Sequence, residues 1–350
     1  MSSDRPLLHT RRAVRQALRG LRGPSEPLVF VALSGGADSL ALAAALAHEA
    51  PRAGLRAGAI VVDHGLQAGS HAVAAAAAAQ AEALGLAPVI VRRVTVEAAA
   101  GGPEAAARQA RYGAFAEAAV AYGACAILTA HTRSDQAEQV LLGLARGSGA
   151  RSLAGIPRQR ELTRGSSILR PFLAPDPEIT RETTVAACAR LDLTPWQDPH
   201  NLDVRYARVR ARERVLPLLE AELGPGVAAA LARTADLAAD DSDALDALAG
   251  AAGERARVSD PGDPALLALD VAALAELPAA LRNRVIRQLA GTHFAAHLGR
   301  EHTAAVAALV TAWRGQGPIT VPGIVVAREG SRLVFRGNGA APGSHALSSE

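Results

Sequence analysis

Lysine is absent: all 37 basic residues of the 350-residue chain are arginine. A Walker-A phosphate loop, a protein-kinase site and a Schiff-base or pyridoxal-phosphate enzyme each need a lysine, so all three are excluded. Cysteine is nearly absent. Cys125 and Cys188 stand far apart with no CxxC, which excludes a disulfide scaffold and a four-cysteine zinc site. Long hydrophobic runs are also missing, because Arg, Asp or Glu interrupts each Ala-rich stretch before the ~18 residues that a membrane span needs. The opening MSSDRPLLHTRRAVRQ has no apolar stretch followed by a small-residue cleavage site. A cytoplasmic protein with no membrane partner is expected.

What is present suits a globular chain: 49% of residues are hydrophobic and 20% charged. At roughly 150 residues per domain, two domains are expected. The net charge of +3 conceals an asymmetry. Residues 1–216 carry 26 Arg against 19 acids, and residues 217–350 carry 11 against 15. A basic first part predicts an anionic partner for it.

Strands are predicted at Leu28–Leu33, Ala59–Asp63, Pro88–Val94 and Ala126–Thr129, and helices at Ser39–Glu49, His71–Leu84, Pro103–Tyr122 and Ser134–Ala145. Apolar strands alternating with crossover helices give an α/β domain with a doubly wound parallel sheet, which binds ligands at the carboxyl ends of its strands. Gly147–Gly165 reads as a long loop, and helices are predicted at Pro177–Leu191 and Leu202–Val215, with Pro217 breaking the pattern. Residues 218–256 read as helical and Ser259–Pro264 as a linker. Two more helices (Pro278–Leu289, Glu301–Trp313) and short strands at Ile319–Val321, Ile324–Val326 and Arg332–Phe335 follow. The resulting division is an N-terminal extension with a helix (1–26), an α/β domain (27–216), a smaller, mainly helical domain with a small β element (217–337), and a disordered tail (338–350).

Chemistry concentrates at four places. The first strand runs into Ser34-Gly35-Gly36-Ala37-Asp38-Ser39 and then directly into a helix. Two glycines let the backbone curl its N–H groups into one concavity, at the positive end of the helix, beside two hydroxyls. A phosphate or pyrophosphate fits there without lysine. Asp38 inside an anion site makes sense if it holds a divalent cation shared with the phosphates. At the end of the second strand, Asp63 and His64 either contact adenine or ribose or form a solvated turn. Glu104, Arg108 and Arg111 share one helix face, as surface ion pairs or as part of the site. In the run from Thr129 to Glu138, His131, Asp135 and Glu138 fall on one side of a helix start; carboxylates presented to a substrate ammonium fit better than a zinc site, since the run has a single His. Lastly, Arg205, Arg208, Arg210, Arg212 and Arg214 face only Glu213 within their own segment, a pattern suited to nucleic-acid or nucleotide phosphates, and six further arginines lie between Arg146 and Arg170.

These residues resemble a known family. SGGADS after a strand resembles the loop of the N-type ATP pyrophosphatase (PP-loop) superfamily. VDHGL (Val62–Leu66), PEAAARQARY (Pro103–Tyr112), TAHTRSDQAEQVLLGLARGSG (Thr129–Gly149), WQDPHNLDVRYARVRARERVLPLL (Trp196–Leu219) and WRGQGPITVPG (Trp313–Gly323) resemble, in order, the tRNA(Ile)-lysidine synthetases. The resemblance implies an adenine nucleotide alpha hydrolase-like fold and a C–N bond-forming ligase acting in tRNA modification. ATP would adenylate C2 of the wobble cytidine of an isoleucine tRNA with a CAU anticodon, and the ε-amine of free L-lysine would then displace AMP to give lysidine. The base then pairs with A, and the tRNA is charged with isoleucine rather than methionine. By this resemblance the Ser34–Ser39 loop holds ATP, with Asp38 on Mg²⁺ and with Asp63 and His64 beside the nucleotide; Arg111 steadies the α-phosphate. Asp135, Glu138 and, more weakly, Glu104 hold the lysine; Arg205, Arg208, Arg210 and Arg212 match an RNRIR-type segment that meets tRNA phosphates. A homodimer is the candidate assembly. The segment departs from the family in Val209 and Ala211, and Thr132 stands where another His or Asn is usual. The chain is shorter than long members, which carry an extra C-terminal domain for the acceptor stem. A tRNA thiolase on the same loop is the enzymatic alternative, and a non-catalytic nucleotide-binding protein the other.

Overall fold

The computed structural model describes residues 4–21, 26–65, 69–95, 103–147, 149–198, 203–258 and 266–338, without the side chains of Pro103 and Glu104. The chain divides into two compact units, Met1–Ala239 and Asp240–Glu350. The expected linker at Ser259–Pro264 and the tail beyond 338 lie outside the described residues.

In the first unit, α1 (Arg5–Leu18) precedes β1 (Leu28–Leu33), α2 (Ala37–Glu49), β2 (Arg56–Asp63), α3 (Ser70–Ala83), β3 (Val89–Arg93), α4 (Pro103–Tyr122), β4 (Ala124–Leu128) and α5 (Arg133–Ala145). Strand alternation sends Val29, Val31 and Leu33 of β1 against α1, α2 and α3 on one face. Leu28 and Phe30 point the other way, into a core with Tyr112 and Phe115 of α4. With both faces covered, the strands read as unbroken apolar runs, which is why the sequence revealed them to within three residues.

Beyond α5 the structure departs from expectation. Gly147–Gly165 is no open loop: it holds α6 (Ala150–Leu153) and β5 (Gln159–Thr163), which pairs antiparallel with β6 (Ser166–Leu169). β5 (QRELT) lacks apolar alternation because it is a sheet edge with little to bury. The connection is pinned by Gln136, whose Oε1 accepts the Ile156 amide at 2.8 Å and whose Nε2 donates to the Ile156 carbonyl at 3.3 Å. Gly155 sits beneath that amide with φ 67°, and a Cβ there would lie 2.7 Å from Gln136 Oε1. The finished sheet runs β3-β2-β1-β4-β6-β5, parallel except for β5. Its order reverses between β1 and β4, and in such sheets the ligand crevice opens at that switch point.

The helix expected at Pro177–Leu191 begins at Arg181 (α7, Arg181–Arg190) behind a Thr180 cap. The one expected at Leu202–Val215 starts at Ala207 as α8 (Ala207–Arg210) and widens into a π turn (Ala211–Val215). Pro217 does not break the chain's helical course. It lies in the first turn of α9 (Leu216–Leu223), where a missing N–H goes unfelt. The unit boundary falls later still, inside α10 (Val227–Ala256).

The second unit is mainly helical, as expected, with a larger β element. The strands β7 (Arg257–Val258), β8 (Leu267–Asp270), β9 (Ile319–Val321), β10 (Ile324–Glu329) and β11 (Arg332–Gly337) form one antiparallel sheet in the order β7-β8-β11-β10-β9. With α11 (Val271–Glu276), α12 (Ala279–Phe294) and α13 (Arg300–Thr311) it encloses a core including Leu269, Val285, Ile286, Leu309 and Phe335. β8 went unread because LALD is too short for alternation to register.

Gly58 in β2 shows how tightly the first sheet is built. A Cβ there would stand 2.6 Å from the Phe30 ring and 2.7 Å from the Pro88 carbonyl oxygen, neither of which can yield. Gly58→Ala is expected to destabilise the protein by about 2 kcal/mol, read as a lowered urea midpoint at unchanged slope.

Candidate active site

β1 ends at Leu33 and α2 begins at Ala37, leaving three residues to turn the chain. Gly35 makes the turn at φ 84°, and the Trp196 amide donates to its carbonyl at 2.9 Å. The Ser39 hydroxyl donates to the Gly36 carbonyl at 2.9 Å and accepts the Ser34 amide at 3.2 Å. The Ser34 hydroxyl lies 3.1 Å from that of Ser39. The loop is thus held from within by two serines and from without by Trp196, and it leads directly into the N-terminus of α2, the positive end of that helix's dipole.

A cavity of about 450 Å³ opens above the ends of β1, β2 and β4. Ser34, Asp38 and Ser39 line it from the loop, Asp63 and His64 from β2, Arg108, Arg111 and Tyr112 from α4, and His131 and Asp135 from the β4–α5 corner. Nine residues singled out in the sequence therefore meet: Ser34, Asp38, Ser39, Asp63, His64, Arg108, Arg111, His131 and Asp135. Glu104 lies in the first turn of α4, with its side chain outside the described residues.

Asp63 combines both sequence readings. It lines the cavity, yet its carboxylate accepts the Gly65 amide at 2.9 Å, and its bonds to Ser70 and Gly65 hold it below the usual carboxylate range. Burial, helped by Arg111, pushes His64 down to about 4, so the ring is neutral at pH 7. Its Nε2 accepts from Arg111 Nε at 3.4 Å, while the buried Nδ1 has no partner among the described residues. His131 is buried too and pushed down to about 3; its Nδ1 lies 3.2 Å from Thr129 Oγ1.

Asp38, Asp135 and Glu138 converge on one cation, Arg181. Its Nη2 stands 3.5 Å from Asp135, its Nη1 3.6 Å from Glu138 and its Nε 3.9 Å from Asp38. Burial pushes Asp38 up to about 6 against the opposing hydrogen bond from Thr184, and the nearby Asp135 adds to the rise. For Asp135 burial also works upward, but His131, Arg181 and the Thr132 amide outweigh it and hold the carboxyl below its usual range. The Asp135 carboxylate accepts that amide at 2.8 Å, completing a capping box with Thr132 at the start of α5.

Glu138 is absent from the cavity lining. It is 1% exposed and gripped by Arg212 at 2.7 and 3.1 Å, with Arg208 at 3.6 Å. The arginine ridge is therefore not one uncompensated face. Arg212 and Arg208 turn inward, Arg208 also bonding Gln139 at 2.9 Å. Arg205 is exposed and paired with Asp203, and Arg210 donates to the Val204 and Arg205 carbonyls. Their own segment gave no hint of this, because Glu138 lies about seventy residues away in sequence.

Sequence reasoning missed Arg181, Thr184, Tyr112 and Trp196. Trp196 and Tyr112 lay inside the motifs that carry the family resemblance. Arg181 and Thr184 sat in a stretch legible only as helix, with no local pattern to mark them. Both cysteines are tied to the backbone, Cys125 Sγ to the Leu28 carbonyl and Cys188 Sγ to that of Ala37. Among the described residues no group of three or more His, Cys, Asp or Glu is arranged to hold a metal ion. No single helix among them is long and apolar enough to cross a membrane.

Residues 7–219 match the PP-loop domain family, and residues 269–334 match the TilS substrate binding domain family. A tRNA(Ile)-lysidine synthase of Leifsonia xyli is 56% identical over 323 residues, covering 90% of this chain and 94% of that one. One from Salinispora tropica is 53% identical, covering 94% and 96%. Among solved structures, a U34-tRNA thiolase from Methanococcus maripaludis superposes with TM-score 0.55 at 18% identity over 67% of this chain and 80% of that one, a likeness of fold.

Because the folded protein raises the Asp38 pKa from 3.8 to about 6, the stability it allows is complete below pH 4 and is lost as pH rises through 6. Asp38→Asn keeps an acceptor for Thr184 and removes the charge. The variant is expected to equal the wild type in thermal melts at pH 4 and to exceed it at pH 8 by about 2 kcal/mol.

Proposed function

The chain belongs to the tRNA(Ile)-lysidine synthase family, and from that premise we infer the chemistry of its cavity. It is an ATP-using ligase that forms lysidine on tRNA(Ile). ATP adenylates the C2 oxygen of the wobble cytidine in the CAU anticodon, with release of pyrophosphate. The ε-amine of L-lysine then attacks C2, and AMP leaves.

The observation that carries the assignment of roles is that the Ser34–Ser39 loop, Arg111 and Asp135 line one cavity at the switch point of the sheet. The loop amides and the α2 dipole would receive the pyrophosphate end of ATP. Arg111, anchored by His64, would face the α-phosphate, where charge grows during adenylation. Neutral His64, with Nδ1 unsatisfied, suits a polar edge of adenine or ribose.

Magnesium fits the residues at hand. Asp38 is a mostly buried carboxylate whose ionisation is opposed by burial and by Asp135, and Ser34 and Ser39 line the same cavity. A hard, oxygen-preferring ion that takes one or two carboxylates plus phosphate oxygens suits this donor set. When bound it would neutralise phosphate charge. Asp38 would hold it, and Asp135, with Glu138 behind it, would offer negative charge to the lysine.

We assign 27–216 to ATP binding and catalysis and 217–337 to tRNA binding, supported by the two family matches. The thiolase alternative is disfavoured, since both cysteines are engaged with backbone carbonyls.

The decisive assay incubates the protein with ATP, Mg²⁺, radiolabelled lysine and unmodified tRNA(Ile). Label surviving deacylation is expected in the RNA; label lost on deacylation would mean aminoacylation instead. Asp38→Ala should abolish the signal while circular dichroism stays unchanged. The arginines separate by environment. Arg205→Ala with Arg210→Ala should lower the salt slope of tRNA binding by about 1 for each phosphate no longer neutralised. Arg212→Ala should instead cost about 3 kcal/mol of stability, because it strips the best partner from a buried carboxylate.

A further inference from the structure

We propose that Arg181 is an internal counter-ion holding the place of the substrate's cationic group, and that lysine binds by displacing it. This rests on the reading of Asp135 and Glu138 as the lysine site. The geometry is that of a shared cation rather than a committed salt bridge. Arg181 meets three carboxylates at 3.5, 3.6 and 3.9 Å and forms a bidentate pair with none. Arg212, by contrast, grips Glu138 at 2.7 Å through two nitrogens. The Arg181 side chain is 30% exposed, so it has room to withdraw. Its backbone is fixed: it opens α7, and its amide donates to Ser134 Oγ at 3.4 Å. Only the long side chain needs to move.

The physical reason is charge. Without substrates, Asp38 and Asp135 repel each other in a mostly buried corner, and a resident guanidinium offsets part of that penalty. An arriving ammonium finds Asp135 already neutralised and must exceed what Arg181 gives up. Arg181 thus weakens lysine binding and also keeps free cations from accumulating between the carboxylates. The charge it neutralises is the same charge that recognises the substrate.

Isothermal calorimetry with L-lysine, on the full-length protein and on Arg181→Gln and Arg181→Lys, tests this. Arg181→Gln is expected to bind lysine about tenfold more tightly, the scale of removing one competing charge near 4 Å. Arg181→Lys keeps the charge and should return the Kd to near the wild-type value. An unchanged or weaker Kd in a folded Arg181→Gln protein overturns the proposal. So does tightening in both variants, which would point to bulk rather than charge. A second measurement needs no variant. Phenylglyoxal labelling of Arg181 in the wild type, read by peptide mass, should rise when lysine is saturating, and constant or reduced labelling overturns the proposal. If wild-type protein binds no lysine at all, with or without ATP, the functional reading itself falls. If it binds lysine but Arg181 neither tightens nor unmasks, only this inference falls.

Discussion

Gathering carboxylates in a mostly buried corner at the carboxyl end of a parallel sheet is the constraint around which the first unit is organised. Asp38, Asp135 and Glu138 come from two different helix starts, and burial opposes the ionisation of Asp38 and Asp135. In a chain without lysine, their positive counter-charge falls to arginine, with hydroxyls and backbone amides adding hydrogen bonds. Arginine suits this, since it stays charged when buried and its planar fork can address several oxygens at once. Three arginines from distant segments close on the carboxylates: Arg181 from α7, and Arg208 and Arg212 from the α8 region.

That requirement explains otherwise unrelated features. α7 starts at Arg181, not at Pro177, because the Thr180 cap sets the first turn where Arg181 reaches the carboxylates and Thr184 reaches Asp38. The ridge from Arg205 to Arg214 splits, with Arg208 and Arg212 turned toward Glu138 and Arg205 held outside by Asp203. The same logic reappears away from the cavity. Buried Arg133 pairs with Asp236 of α10 at 2.8 Å, and buried Glu49 is held by Arg15 from α1. Each pair ties a peripheral helix to the sheet layer through charge that would be costly to leave unpaired.

The nucleotide side of the cavity sets Arg108 and Arg111 beside neutral groups. Two serines and Trp196 hold the loop after β1, and both nearby histidines are neutral at physiological pH because burial disfavours their charged forms. In the proposed reading the loop after β1 would take the anionic phosphate chain and the neighbouring carboxylates the cationic amine, with Asp38 common to both.

Much of this was legible in the chain itself. The parallel sheet announced itself because strands buried on both faces must be apolar throughout, and the phosphate loop because only a Gly-rich turn between a strand and a helix makes that concavity. Nine of the cavity's polar residues were identifiable: most follow directly on the ends of parallel strands, and Arg108 and Arg111 share one face of α4. What the sequence could not express is pairing across distance. Gln136 closing over Gly155, β5 finding β6, Arg181 meeting Asp38 and Glu138 turning inward to Arg212 all join segments whose local patterns are ordinary. Hydrophobic periodicity is a property of neighbours and survives in a one-dimensional string. Charge compensation is set by distances of a few ångströms between segments far apart in the chain, and only the folded backbone brings those distances into being.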